Sequence, residues 1–306
     1  MQRKGFERVS GTYLLQQLIN GISLGSIYAL VAIGYTMVYG ILRLINFAHG
    51  DILMVGAYSA LGLAMSLHLP FWAVLAGSML IAALTGVLVE RAAFRPVRGA
   101  PEEVTMITSL AVSIFLENLG TMVLSPQPRK FLVPDYLLVI HNWGGLTFNN
   151  MTILIVVLAV GLMLALTLFV TRTNLGIAMR ASSENLQAAQ LMGININRIV
   201  ATAFIIGSGL AAVAGVMLGG QYGRIDPLMG FVPGLKAFVA AVIGGIGNIA
   251  GAAVGGYVLG LAEVLLVGLL PPSLSGFRDA FVFIFLILML LIRPVGILGS
   301  VERGRA

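Results

Sequence analysis

Residues 151–170 read MTILIVVLAVGLMLALTLFV, twenty positions without a charge or a proline. A helix of about 20 apolar residues crosses the roughly 30 Å hydrocarbon core of a bilayer, so this stretch reads as a membrane span. Comparable runs lie near 13–39, 70–89, 104–124, 199–219, 249–270 and 280–292, and two more, 41–67 and 233–248, are apolar but broken by polar residues and glycine. Of the 306 residues 58% are hydrophobic and only 10% charged, with a mean hydropathy of +0.99. Soluble domains carry about 25% charged residues, so lipid is the solvent that suits this composition. Unpaired backbone groups are not tolerated in lipid, and the roughly ten-residue alternating strands of a membrane barrel are absent. The expected fold is therefore all-α: one polytopic transmembrane domain over 1–306 with about 8–9 helical segments, some broken or re-entrant.

Charge sets the expected orientation. Basic residues gather in 1–10 (Arg3, Lys4, Arg8), in 91–103 (Arg91, Arg95, Arg98), in the loop at about 172–198 (Arg172, Arg180, Arg198) and after 292 (Arg293, Arg303, Arg305). The positive-inside rule makes these four regions candidates for the cytoplasmic side. The loop at about 125–150, with Pro126, Pro128, Pro134 and Trp143, then faces outward. Three apolar segments between 1–10 and 91–103 conflict with both ends being cytoplasmic. Either the segment holding Asn46, His49, Gly50 and Asp51 is broken or re-entrant, or the N-terminus lies outside. The 13–39 run exceeds the usual signal-peptide core of about 7–15 residues and reads as a retained first span.

The two interrupted segments share a pattern. Residues 45–58, INFAHGDILMVGAY, and 247–257, GNIAGAAVGGY, each run from Asn-x-Ala through Gly to a small-residue pair and Tyr. Gly-interrupted segments in corresponding halves of a transporter point to a substrate pathway. The pathway candidates are Asn46, His49 and Asp51 with Gly244, Gly245, Gly247 and Asn248, because ionisable groups within a span are costly and usually functional. For Asp51 the competing role is as cap of a helix running from Ile52. Glu117, Asn118, Lys236 and Glu263 are the other polar positions within spans, where a structural salt bridge between Lys236 and a carboxylate competes with contact to the solute. The row Gly247/Gly251/Gly255 suits close helix packing.

The remaining chemistry is mostly exclusion. With no cysteine, disulfides and thiolate metal sites are ruled out. His49, His68 and His141 are too scattered to suggest a metal site. There is no Gly-Lys-Ser/Thr phosphate loop, zinc-protease helix or Gly-x-Ser-x-Gly elbow, so the chain reads as a non-enzyme that cannot hydrolyse ATP alone. A net charge of +6 spread over short loops does not indicate nucleic acid. In the 172–198 loop, Ser182 or Ser183 is positioned to cap a short helix starting near Glu184. That helix would contain Gln187, Ala188 and Ala189, end at Gly193, and suit a groove on a cytosolic partner.

The last of these segments resembles the Glu-Ala-Ala-x-x-x-Gly coupling motif of ABC-importer permeases, with Gln187 in place of Glu, Ala188 and Ala189 on the alanines, and Gly193 on the glycine. Residues 27–58, 90–99 (ERAAFRPVRG), 175–198 and 236–263 resemble the LivH-type permeases of branched-chain amino acid transporters, and order and spacing agree from about Gly11 to Leu298. The resemblance implies a subunit of the bacterial inner (plasma) membrane importing branched-chain or other apolar amino acids. Its implied partners are a second, LivM-like permease in a heterodimer, two cytosolic ATPase subunits and an extracytoplasmic solute-binding protein. ATP and Mg would be used by the ATPases, with no cofactor bound by this chain. Glu184, Gln187, Ala188, Ala189 and Gly193 would form its ATPase contact. The alternatives are a permease of the same family for urea or short-chain amides, an ion-coupled secondary transporter using Asp51, Glu117 or Glu263, and a scaffolding protein.

Overall fold

The computed structural model describes residues 11–299. Its apolar helices are α1 (Gly11–Leu42), α2 (His49–Leu67), α3 (Phe71–Val89), α4 (Glu102–Leu124), α6 (Asn150–Arg172), α9 (Ile196–Tyr222), α10 (Phe231–Gly244), α11 (Ile249–Leu269) and α12 (Arg278–Ile292). A π-turn at Glu90–Phe94 prolongs α3. Seven of these are long and apolar enough to cross a membrane, while α10 and α12 have only 14 and 15 residues. The 125–150 loop folds on itself through the short α5 (Asp135–Leu138) and a hairpin of β2 (Ile140–Trp143) with β3 (Leu146–Asn149). Its β1 (Arg129–Lys130) pairs antiparallel with β4 (Arg224–Ile225), just after α9.

Side-chain contacts fix which helix ends lie together. Gln16, near the start of α1, exchanges two 2.8 Å hydrogen bonds with the backbone of Thr147 in the 125–150 loop. At the far end of α1, Arg43 donates to the Ser183 carbonyl of the 172–198 loop. Arg98 donates to Asn197 at 2.7 Å, so the 91–103 loop shares that second end. The basic loops therefore cluster at one end, which the positive-inside rule makes cytoplasmic. The start of α1 sits at the other. Of the two alternatives the sequence left open, the start of α1 follows the second: α1, α2 and α3 each traverse, and an odd number of crossings separates Gly11 from Arg98. Arg3, Lys4 and Arg8, which suggested otherwise, lie outside the described residues.

The chain is built from two inverted halves. Helices α1–α4 and α9–α12 follow the same plan: a long buried helix, a non-helical stretch, a helix starting within the bundle, then two peripheral helices. The packing obeys the same exchange. α1 runs along α11 as α9 runs along α3, and α1 meets α10 as α9 meets α2. Because α1 starts at the outer end and α9 at the cytoplasmic end, the halves have opposite orientation.

This relation corrects the expected repeat. The structural counterpart of 45–58, INFAHGDILMVGAY, is 225–238, IDPLMGFVPGLKAF, not 247–257. The two glycines that align, Gly50 and Gly230, touch each other where α2 and α10 begin. A Cβ on Gly50 would lie 2.5 Å from the Gly230 carbonyl oxygen and 3.0 Å from Gly234 Cα. Only bare backbone permits that crossing.

A side chain at Gly50 should accordingly force α2 and α10 apart at a cost of about 1–3 kcal/mol or more. Gly50→Val is expected to lower the thermal midpoint and membrane yield in detergent melts. Gly62→Ala, at a position with open space around it, should leave both unchanged.

Candidate functional site

The non-helical residues 43–48 bring the first pathway candidates into the middle of the bundle. Asn46, His49 and Asp51 are all buried. The His49 ring lies against Gly34 of α1 and Gly207 of α9, edge-on to Tyr35 with centroids 4.7 Å apart, and its imidazole donates to the Val31 carbonyl. Gly34 is about 12 Å along α1 from Leu42, which places the imidazole well inside the membrane. Its Nε2, both amide atoms of Asn46, one carboxylate oxygen of Asp51 and the hydroxyls of Thr36 and Ser208 are buried without a protein hydrogen-bond partner. Leaving such groups unpaired costs free energy, so this is where a polar solute would find donors and acceptors.

Asp51 is not a cap. The helix begins at His49 with Ala48 as N-cap and no side-chain cap bond, so Asp51 stands inside the first turn. Its carboxylate accepts from the Ser113 hydroxyl of α4 and lies near that of Glu117.

The second set of candidates is not joined to the first. Gly244 ends α10, and 245–248 form the turn into α11, with φ of 105° at Gly245 and 93° at Gly247 that favour glycine. Asn248 caps α11 by accepting from the Gly251 N–H and donates to the Leu298 carbonyl. Gly247 lies over Gly40, about 9 Å along α1 from Gly34 towards the cytoplasmic end. This turn therefore faces the 172–198 loop, sharing a pocket with Arg180 and Ser183, rather than the mid-membrane cluster.

Lys236 does find a carboxylate. Its Nζ lies 2.7 Å from Glu263 and 2.6 Å from Asp279, Arg278 Nε also pairs with Glu263, and Tyr28 donates to Glu263 at 2.9 Å. Glu263 is wholly buried and Lys236 is 5% exposed. Two cations and two anions thus tie α10, α11 and α12 together, and Tyr28 joins them to α1. Sequence reasoning anticipated the lysine but missed Arg278 and Asp279. Their position as adjacent charges opening an apolar run was the available signal.

The cytoplasmic loop folds as two helices. α7 (Asn174–Glu184) is followed by α8 (Leu186–Leu191), which Asn185 caps by accepting from the Ala188 N–H. The expected serine cap is corrected: Ser182 and Ser183 bond back to carbonyls within α7, and Glu184 ends α7 instead of starting the next helix. Gln187 and Ala188 face outward, Ala189 is buried, and Gly193 closes the motif at φ 83°. Leu191 and Met192 are 89% and 84% exposed, a bare apolar tip. Beside it, Arg98 pairs with the buried Glu90 carboxylate at 2.6 Å and donates to Asn197. Arg98, Gln190, Gly193 and Asn195 share a polar groove of about 530 Å³. Glu90 and Arg98 lay in a quoted stretch, ERAAFRPVRG, but their pairing needed the π-turn to be seen.

Residues 17–293 match the model of a family described as the permease component of branched-chain amino acid transport systems. The chain belongs to that permease family. Among its relatives, the high-affinity branched-chain amino acid transport system permease protein BraD of Pseudomonas aeruginosa is 44% identical, with 95% of this chain and 97% of that protein aligned. The LivH proteins of Escherichia coli K12 and Salmonella typhimurium, with the same description, are 43% and 42% identical at equal coverage. These permeases are transport subunits and not enzymes. Among the described residues of this family member, no cluster of three His, Asp or Glu side chains could hold a metal ion.

Removing one partner from a buried ion network leaves an uncompensated charge, typically about 3–5 kcal/mol destabilising. Lys236→Met should therefore lower the thermal midpoint sharply. Pairing it with Asp279→Leu should recover much of the loss, since Arg278 still neutralises Glu263. Equal melts for the single and double variants would contradict that pairing.

Proposed function

We propose that the protein is the permease subunit of an ABC importer in the bacterial inner membrane, carrying branched-chain or other apolar amino acids inward on ATP hydrolysed by separate subunits. The observation that carries this reading is α8, a capped helix with a bare Leu191–Met192 tip at the cytoplasmic end of the bundle. An apolar tip of that size suits a groove on a cytosolic ATPase. The descriptions of BraD and LivH favour branched-chain amino acids over urea or short amides.

The partners are a LivM-like second permease, two ATPases and an extracytoplasmic solute-binding protein. ATP and Mg belong to the ATPases, and this chain binds no cofactor. Gln187, Ala188, Ala189 and Gly193 line the ATPase contact, with Glu184 at its edge. Closure of the ATPase pair moves α8, and the Arg98–Asn197 contact passes that displacement to the start of α9 and the end of α3. Of these, α9 packs against His49 through Gly207, so alternating access follows from a rearrangement around the Asn46–His49–Asp51 cluster. Gly244, Gly245, Gly247 and Asn248 belong to the inner mouth of the pathway.

The test is uptake of labelled leucine by proteoliposomes holding the full complex and binding protein, with and without ATP. Competition by isoleucine and valine is expected. Uptake of urea but not leucine would transfer the protein to the alternative substrate class. Gly193→Arg forces a side chain onto the positive φ and into the ATPase contact, and should abolish ATP-driven uptake with normal membrane yield. His49→Ala should reduce uptake more than expression, and equal losses would return His49 to a packing role.

A further inference from the structure

We propose that the groove between α2 and α4 is the solute-selecting site within the membrane, with the Asp51 and Glu117 carboxylates receiving the ammonium group and the apolar walls above them receiving the aliphatic side chain. This rests on the importer reading and adds to it residues from α4.

Three observations carry it. The first is a pair of neighbouring acids without a cationic partner. Asp51 is buried with an oxygen lacking any protein partner, Glu117 is half-buried near it, and among the described residues neither makes an ion pair. By contrast, Glu90 and Glu263 are matched by Arg98, Lys236 and Arg278. A pair of carboxylates inside a membrane calls for a cation, and the ammonium of an amino acid is one that this transporter would meet.

The second is the uncovered face of α4. Only Thr105, Ser109, Ser113, Leu116 and Gly120 of its residues are buried, a single stripe along one side. Glu117 and the exposed Asn118 adjoin that stripe. Polar groups at this depth do not face lipid, so this face of α4 borders a partner or an aqueous path.

The third is shape. On α2, Asp51, Met54, Val55 and Tyr58 follow helical spacing on one side, and they oppose Ser113, Leu116, Gly120 and Val123 of α4. Above the carboxylates the two helices line an open cleft of about 380 Å³, walled almost entirely by carbon. Gly120 gives this space its width, since a Cβ there would lie 3.0 Å from Met54 Cε. An acidic floor beneath an aliphatic cleft matches an ammonium one carbon away from a branched side chain, and it disfavours neutral amides and sugars.

The experiment uses the assembled complex with its binding protein in proteoliposomes, reading leucine transported per ATP hydrolysed. Glu117→Gln and Gly120→Leu should each lower that ratio about tenfold, the size of one lost charge-assisted contact, while loaded binding protein still stimulates hydrolysis. Glu117→Asp should recover most of it. Because the chain has no cysteine, Leu119→Cys provides a second readout that needs no loss of function. Leucine and isopentylamine should slow its labelling by a small thiol reagent, and 4-methyl-2-oxopentanoate, which lacks the ammonium, should not. Unaltered transport ratios in both variants, or labelling indifferent to leucine, would overturn the site. A wild-type complex that carries no amino acid would instead sink the importer reading beneath it.

Discussion

Hydrocarbon offers a polypeptide no hydrogen bonds, so a helix may be interrupted within a membrane only where protein surrounds the break. Two such interruptions occur here, before α2 and before α10, and they meet at Gly50 and Gly230. The rest of the architecture follows from keeping lipid away from that crossing. α1 and α9 are the most buried spans because they flank it on either side. The neighbouring α3, α4, α11 and α12 then complete two shells of opposite orientation. Polar groups of the first turn of α2 are carried to mid-membrane by the same geometry, without any long polar loop entering the bilayer.

Each half also closes one of its ends with a buried acid. In the first half, Glu90 at the end of α3 holds Arg98 from the link to α4. In the second, Glu263 near the end of α11 holds Arg278 at the start of α12. Inversion puts the first pair at the cytoplasmic end, beside α8, and the second at the opposite end. The positions correspond and the roles have diverged. The first pair is tied through Arg98 to Asn197 at the start of α9, whereas the second has gained Lys236, Asp279 and Tyr28 and locks three short or peripheral helices together.

Much of this was legible in the residues. Uncharged runs such as 151–170 identified the spans, and the Gln187–Gly193 pattern located α8 to within a residue or two. The broken segment was marked by Asn46, His49 and Asp51 within an apolar run. Other features depended on three-dimensional facts that spacing does not encode. The inverted repeat was misread because small residues recur at 247–257 as well as 225–238, and only the Gly50–Gly230 contact distinguishes them. The side on which α1 starts stayed open because three basic residues and a parity argument pointed opposite ways. Ser182 and Ser183 looked like caps, but Asn185 has the extended backbone that a cap requires. Glu117 stood out in the sequence as an ionisable residue within a span, but that it makes no ion pair among the described residues is visible only in three dimensions.

The shortness of α10 bears on how the chain enters the bilayer during synthesis. Fourteen residues reach about 21 Å, well short of a roughly 30 Å core, and Lys236 stands among them. Such a segment is apolar but lacks the length to span the bilayer by itself. Its charge is neutralised only by Glu263 and Asp279, which emerge from the ribosome later and belong to α11 and α12. The ion pairs that accommodate Lys236 in the bilayer therefore form only when all three of the last helices are present. A truncation after α10 removes not merely two helices but the condition for the third to be in the membrane at all.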